Sequence, residues 1–336
     1  MKIEENYSLL SHNTFGIKAN TRWFISYDSE EELQKILSDE YFQSLPFLHI
    51  GSGSNLLFLS DYEGIVLHSA IPDIEIVAED EKTVELKVGA GCIWDEFVQY
   101  ATNKGWGGTE NLSGIPGEVG ASAVQNIGAY GSEVKDLIVS IEVYDVLTKE
   151  KRQILNTECG YAYRQSRFKN EWKDKYIITS VIFSLLKQPQ YNIEYGNLRE
   201  LLSGKEVTLQ TIRDAVIAIR DSKLPNPKID GNAGSFFMNP YVEKDHYEVL
   251  KQKYPNMPSF PVSEKQVKIP AAWLIEQCGL KGFQMGKAAV HDKQPLVLVN
   301  KGGAVGQEIA DLALHVQDTV YQKFGITISP EVIYIG

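Results

Sequence analysis

The sequence predicts an α+β protein, and three observations predict it. Short runs of β-branched and aromatic residues, among them the alternating Val84, Leu86 and Val88 and the continuous Tyr176–Leu186, read as strands. Apolar residues at helical spacing recur in few places, so the first half carries many strands and few helices. A glycine-rich segment, 105–136, follows neither period, yet its Ile, Val and Ala content argues against disorder.

In chain order, residues 22–27 form a first strand. Ser29 and Glu32 are spaced as a capping box, and Leu33, Ile36 and Leu37 give the helix behind them one apolar face. Residues 47–50 form a second strand that runs straight into Gly51-Ser52-Gly53-Ser54-Asn55. Another strand spans 64–68, and Trp94, Phe97, Val98 and Ala101 sit at i, i+3, i+4 and i+7, the spacing of an amphipathic helix. Strands at 138–146 and 176–186 follow. Beyond Gln188-Pro189, Thr208 stands where a cap belongs, ahead of a stripe of Ile212, Ala215, Val216 and Ile219. Pro270 opens another helix and Gly279 ends it. The longest helix carries Val305, Ile309, Leu312, Val316 and Val320 and stops at Gly325, with strand-like runs at 326–328 and 332–335.

A chain of 336 residues with 43% hydrophobic content has room for two or three domains with their own cores. The net charge of −11 without any basic block argues against a nucleic-acid or anionic-membrane surface. Anionic small molecules stay open, since a local cluster of Lys and Arg suffices for them. Cys92, Cys159 and Cys278 are scattered and odd in number, so neither a disulfide framework nor a metal site is expected. A reducing cytoplasm fits best. No signal peptide and no run of membrane-span length is read.

Three glycine segments carry the chemistry. The 51–55 turn follows a strand and suits a phosphate nest, but it is neither a Rossmann fingerprint nor a Walker A loop. Gly114-Ile115-Pro116-Gly117-Glu118-Val119-Gly120-Ala121-Ser122, continuing to Gln125-Asn126-Ile127-Gly128-Ala129-Tyr130-Gly131, suggests backbone packed against a flat, partly apolar ligand. A dinucleotide explains both. The third segment, Gly231-Asn232-Ala233-Gly234-Ser235-Phe236-Phe237-Met238-Asn239-Pro240, is a glycine turn. Ser235 lacks the flanking glycines of a nucleophile elbow, so if it acts, it acts as a proton donor.

These segments, together with Asn13-Thr14-Phe15-Gly16, Tyr163-Arg164-Gln165-Ser166, Lys223-Leu224-Pro225 and Pro330-Glu331-Val332, resemble the UDP-N-acetylenolpyruvoylglucosamine reductase family over nearly the whole chain, in order and spacing. The resemblance implies a vanillyl-alcohol-oxidase-type two-part FAD-binding fold with a C-terminal α+β substrate-binding domain. The implied division is 1–70, 71–205 and 206–336, with the loop around Tyr195 in the second part. It implies non-covalent FAD, NADPH as reductant, a UDP-sugar substrate, a bacterial cytoplasmic setting and a monomer.

The resemblance also implies roles. Ser235 protonates the substrate α-carbon, Arg164 pairs with the substrate carboxylate, and Glu331 stabilises or protonates the enol. An arginine fork suits a carboxylate, and Glu331 as a donor needs desolvation to keep it neutral. Gly51, Ser52, Gly53, Ser54, Asn55, Pro116, Gly117, Gly120, Ser122, Asn126, Gly128, Ala129 and Tyr130 fall on FAD positions. Tyr195, Lys223, Asn239, Lys281 and Gln294 fall on positions near the nucleotide diphosphate and sugar. Two residues depart from the family pattern: Met238 stands where a lysine is common, and Ile333 where an arginine is. The alternatives are an FAD oxidase or dehydrogenase of a sugar or alcohol on the same fold, and a non-catalytic nucleotide-sugar binding protein.

Overall fold

The computed structural model describes all 336 residues, Met1–Gly336. They form two compact units. The first comprises Met1–Tyr7, Asn20–Gly53 and Tyr62–Ser222; the second comprises Ser8–Ala19, Ser54–Asp61 and Lys223–Gly336.

The first unit holds two sheets. Asn20–Tyr27, Tyr62–Ser69 and Phe47–Ile50 pair in parallel, with Lys2–Ser8 at the far edge. Their apolar face (Ile25, Tyr27, Ile65, Leu67) packs on Leu33, Ile36 and Leu37 of the helix Glu30–Ser38. The cap of that helix differs from the expected box. Ser29 accepts the Glu32 N–H, but the Glu32 carboxylate turns to the Asp28 N–H and the chain's amino terminus, which lies beside it. The second sheet is antiparallel, in the order Lys151–Leu155, Ile138–Asp145, Tyr176–Leu186, Thr83–Gly89, Ile74–Glu79. Val84, Leu86 and Val88 alternate into its core against Trp94, Phe97, Val98 and Ala101 of the helix Trp94–Asn103. Both periods read from the sequence are therefore realised on facing surfaces.

Segment 105–136 contains regular structure after all: the helix Val119–Gln125, two 3-10 turns and a two-residue hairpin, Gly128–Ala129 against Ser132–Glu133. The helix is only seven residues long and rich in Gly, Ala and Ser, so tertiary bonds rather than propensity sustain it. The helix Leu209–Lys223 buries the expected stripe, and Thr208 caps it by accepting the Thr211 N–H at 3.1 Å.

In the second unit, the helix Gly306–Phe324 buries Ile309, Leu312, Val316 and Val320 and ends at Gly325 in the left-handed conformation, φ +63°. Ala271–Gln277 follows Pro270 as expected. Two small sheets are built from strands of two or three residues. Residues 326–328 are not a strand; Ile328 is buried and its carbonyl accepts from the Gln317 amide instead of a ladder. Ile333–Ile335 does pair, in parallel with Leu56–Phe58.

Candidate active site

Strand Phe47–Ile50 delivers the turn Gly51-Ser52-Gly53. The N–H groups of these three residues make no backbone hydrogen bond, and Gly53 lies at φ +71°. Successive free N–H groups around a left-handed glycine form a nest for an anion. Gly51 is a glycine for a different reason. A Cβ there would stand 3.0 Å from Glu118 Oε2 and 3.3 Å from the Ala121 Cβ.

The neighbouring loop is built from inside. The Val119 and Gly120 N–H groups donate to the Cys92 and Ala90 carbonyls, and a Cβ on Gly120 would meet that of Ala90 at 2.8 Å. Ser122 donates to the Val119 carbonyl at 2.7 Å. Asn126, fully buried at φ +49°, gives its amide to Glu133 and the Ala162 carbonyl and accepts the Lys135 N–H. Gly120, Ser122 and Asn126 thus shape the loop with their side chains, or the lack of one. Tyr130 lies at φ +47°, and its carbonyl is held at 2.9 Å by Asn111, whose amide also reaches the Asn192 carbonyl at 2.7 Å.

Asn111 and Arg220 were not singled out from the sequence. Arg220 donates to the Gly114 carbonyl at 3.1 Å, and burial lowers its guanidinium below the ordinary value. A polar residue next to Leu112 and a second arginine seven residues after the buried Arg213 of the same helix are the only signals they give.

Arg164 sits in the same unit, at the tip of a tight turn in which Ala162 and Gln165 exchange N–H···O bonds. Its backbone is left-handed, φ +55°, a conformation that costs a non-glycine residue. The turn is pinned by Ser166, which donates to the Val124 carbonyl at 2.6 Å. The guanidinium lies over the Tyr163 ring and donates to the Gly128 carbonyl at 2.6 Å. Gly128 leaves no room for a side chain, since a Cβ would be 2.9 Å from Arg164 Nη1. Tyr195, half exposed, sets its ring edge-on to Tyr130 with centroids 6.4 Å apart.

The second unit holds the third glycine segment. Gly231 passes so close to Phe15 that a Cβ would stand 2.2 Å from its carbonyl oxygen. Asn232 is buried; its amide holds the Pro225 and Asp230 carbonyls, and its Oδ1 accepts the Gly234 N–H. Gly234 then turns through φ +70°. Phe236 and Phe237 plunge into the core, leaving Ser235 exposed at the rim of a fixed turn. The segment pairs with the C-terminal stretch: Glu331 N–H donates to the Phe236 carbonyl at 2.7 Å, and Met238 N–H to that of Ser329 at 2.9 Å. Ser235 is therefore one position away from the residue that faces half-buried Glu331. Asn239 caps the helix Ala271–Gln277 by accepting the Ala271 N–H at 2.9 Å, Lys281 pairs with Glu276 at 3.1 Å, and Lys223 is exposed. Gln294 closes a turn through His291 and Val297. No group of three His, Cys, Asp or Glu residues is placed to hold a metal ion.

A profile of the UDP-N-acetylenolpyruvoylglucosamine reductase C-terminal domain matches residues 226–335, and one of an FAD binding domain matches 22–148. The UDP-N-acetylenolpyruvoylglucosamine reductase of Bacteroides fragilis is 52% identical over 334 residues, covering 99% of this chain and all of the relative. The chain belongs to the UDP-N-acetylenolpyruvoylglucosamine reductase family. The Porphyromonas gingivalis reductase is 47% identical over the whole of both chains. The crystal structure of the Thermus caldophilus reductase covers both chains completely with a TM-score of 0.71; at 22% identity it shows the shared fold. As a reductase of this family the protein is an FAD-containing oxidoreductase with the two-part FAD-binding fold and an added C-terminal domain. The oxidase reading and the non-catalytic reading give way to it. The free N–H groups of the Gly51–Gly53 turn fit the diphosphate of FAD in chemistry and conformation.

Proposed function

We propose that the protein reduces UDP-N-acetyl-3-O-(1-carboxyvinyl)-glucosamine to UDP-N-acetylmuramate with NADPH, a step of peptidoglycan precursor synthesis in the bacterial cytoplasm. The balance is one NADPH and one proton consumed, one NADP⁺ released, and one new C–H bond on each carbon of the former double bond. FAD, when bound, supplies the two-electron relay between NADPH and that double bond. Gly51, Ser52 and Gly53 hold its diphosphate with backbone N–H groups, and the loop from Pro116 to Tyr130 lies along the rest of it.

Ser235 gives the proton to the α-carbon. A hydroxyl is a weak acid, so this role demands a fixed geometry, and the turn locked by Asn232, Gly234 and Phe236 supports one. Arg164 takes the substrate carboxylate with its planar fork. Glu331 steadies the enol beside Ser235. Tyr195, Lys223, Asn239, Lys281 and Gln294 serve the diphosphate and sugar of the nucleotide. The chain works as three functional parts, 1–70, 71–205 and 206–336, and as a monomer. The compact units divide differently, gathering Ser8–Ala19 and Ser54–Asp61 with Lys223–Gly336.

The observation that carries this reading is the pairing of the Ser235 segment with the Glu331 segment in one local frame. Anaerobic addition of NADPH is expected to bleach the yellow protein, and the enolpyruvyl sugar nucleotide to restore its colour. Failure of the sugar nucleotide to restore it would sink the proposal.

A further inference from the structure

Glu118 is a buried carboxylate with no Lys or Arg as its ion-pair partner; the partner is His68. Its Oε1 lies 3.0 Å from His68 Nε2, and His68 Nδ1 lies 3.4 Å from the Ser26 hydroxyl. Its Oε2 is enclosed and makes no hydrogen bond. An unsatisfied buried carboxylate oxygen is costly and asks for an explanation.

Gly51 closes over that oxygen. The Cβ that Gly51 lacks would stand 3.0 Å from it. Gly51 is not among the residues with positive φ, so the missing side chain answers to this contact and not to backbone conformation. The backbone around Glu118 is clamped on both sides. The Gly117 carbonyl accepts from Trp94, the Val119 N–H donates to Cys92, and Glu118 itself bridges to Ile93. The carboxylate therefore projects from a rigid frame, and Gly51, the first residue of the Gly51-Ser52-Gly53 turn, packs over it.

We infer that Glu118, oriented by His68, is a positioning residue for FAD: it props the Gly51-Ser52-Gly53 turn so that the free N–H groups stay aimed at the diphosphate. This rests on the reading of that turn as the diphosphate cradle. A prop acts through contact and through its hydrogen bond to His68, so glutamine, of the same size, serves in its place.

The test is the FAD dissociation constant of flavin-stripped protein, read by quenching of FAD fluorescence, with the melting temperature of each apoprotein alongside. Glu118→Ala is expected to weaken FAD binding at least tenfold, and Glu118→Gln to stay within threefold of the parent. Gly51→Val is expected to weaken binding at least tenfold. Combined with Glu118→Ala, which vacates the space the valine needs, it should weaken binding by less than the product of the two single effects. Glu118→Asp withdraws the carboxylate without emptying the site and carries the same expected loss if the alanine variant does not fold. The inference is overturned if Glu118→Ala binds FAD within threefold of the parent. It is equally overturned if glutamine and alanine weaken binding alike, or if the double variant is simply additive. Gly53→Val separates the two levels: if it keeps the parent's affinity, the cradle reading itself falls.

Discussion

The side-chain amide of Asn55 donates to the backbone carbonyl of Glu331 at 3.1 Å, tying residues 276 apart in sequence. The Asn55 carbonyl in turn accepts the Ile333 N–H at 3.0 Å. A residue in the first glycine-rich turn thus fixes the stretch that carries the proposed enol-stabilising carboxyl, two residues ahead of the strand Ile333–Ile335. Asn55→Ala removes one part-buried hydrogen bond, a loss of about 1 kcal/mol of stability. It is expected to cut turnover per bound flavin at least tenfold and, because Asn55 also falls on an FAD position, to lower FAD content. Loss of FAD with normal turnover per remaining flavin would leave Asn55 the cofactor role alone.

Ser235→Ala separates the two half-reactions. NADPH should still bleach the flavin at the parent rate, while reoxidation by the enolpyruvyl sugar nucleotide slows on the order of 10³-fold, the scale of a lost general acid. Stopped-flow absorbance distinguishes the two, and reoxidation at the parent rate removes Ser235 from the mechanism.

Tyr195 is half exposed and touches Tyr130 with its ring edge, so its hydroxyl has no structural duty to lose. Tyr195→Phe should raise the KM for the sugar nucleotide roughly tenfold, the worth of a hydrogen bond to a charged group. Flavin reduction by NADPH should not change. An unaltered KM rules out a hydroxyl contact with the diphosphate.

His49 makes stability depend on pH. It is half-buried against the Tyr27 hydroxyl at 2.8 Å, and desolvation, helped by His68, lowers its pKa to about 3. The unfolded chain takes up a proton near 6.5 that the folded His49 refuses. The neutral imidazole's stabilisation is therefore full above pH 6.5 and declines as pH falls toward 3, by about 1.4 kcal/mol per unit at its steepest. Chemical denaturation at pH 7, 6 and 5 should show this slope, and His49→Gln should flatten it. An equal slope in both proteins would assign the effect elsewhere.

Gly231→Ala places a methyl group 2.2 Å from the Phe15 carbonyl oxygen, which also accepts from the Asn300 amide at 2.9 Å. Relief requires the turn to move, at a cost of about 1–3 kcal/mol. Calorimetry should show a lower melting temperature, and the displaced Ser235 should lower turnover as well. A variant with parental stability and rate would show that the close approach is dispensable.

Much of the first unit was legible because its periods are clean. Val84, Leu86 and Val88 alternate, Trp94, Phe97, Val98 and Ala101 keep helical spacing, and both sets are buried. The helix Val119–Gln125 was not legible, because it owes its existence to N–H groups of Val119 and Gly120 reaching carbonyls from another segment. Strands of two or three residues in the second unit carry no period at all. At the site, the Gly231–Gly234 turn announced itself through its glycines, but the job proposed for Ser235 came from resemblance. Which polar residues would build loops was hidden: Asn126 spends its whole side chain inside the protein.

The second unit is stitched from three separate stretches of chain, Ser8–Ala19, Ser54–Asp61 and Lys223–Gly336. On the ribosome, Leu9, Phe15, Leu57 and Phe58, all fully buried in the finished protein, emerge long before the helix Gly306–Phe324 is made. That unit must wait for translation to reach its last residues, and its high sequence separation predicts slow assembly. No single cut yields two self-sufficient halves. A fragment beginning at Lys223 lacks Leu9, Phe15, Leu57 and Phe58, part of its own core, so truncation cannot separate the two units.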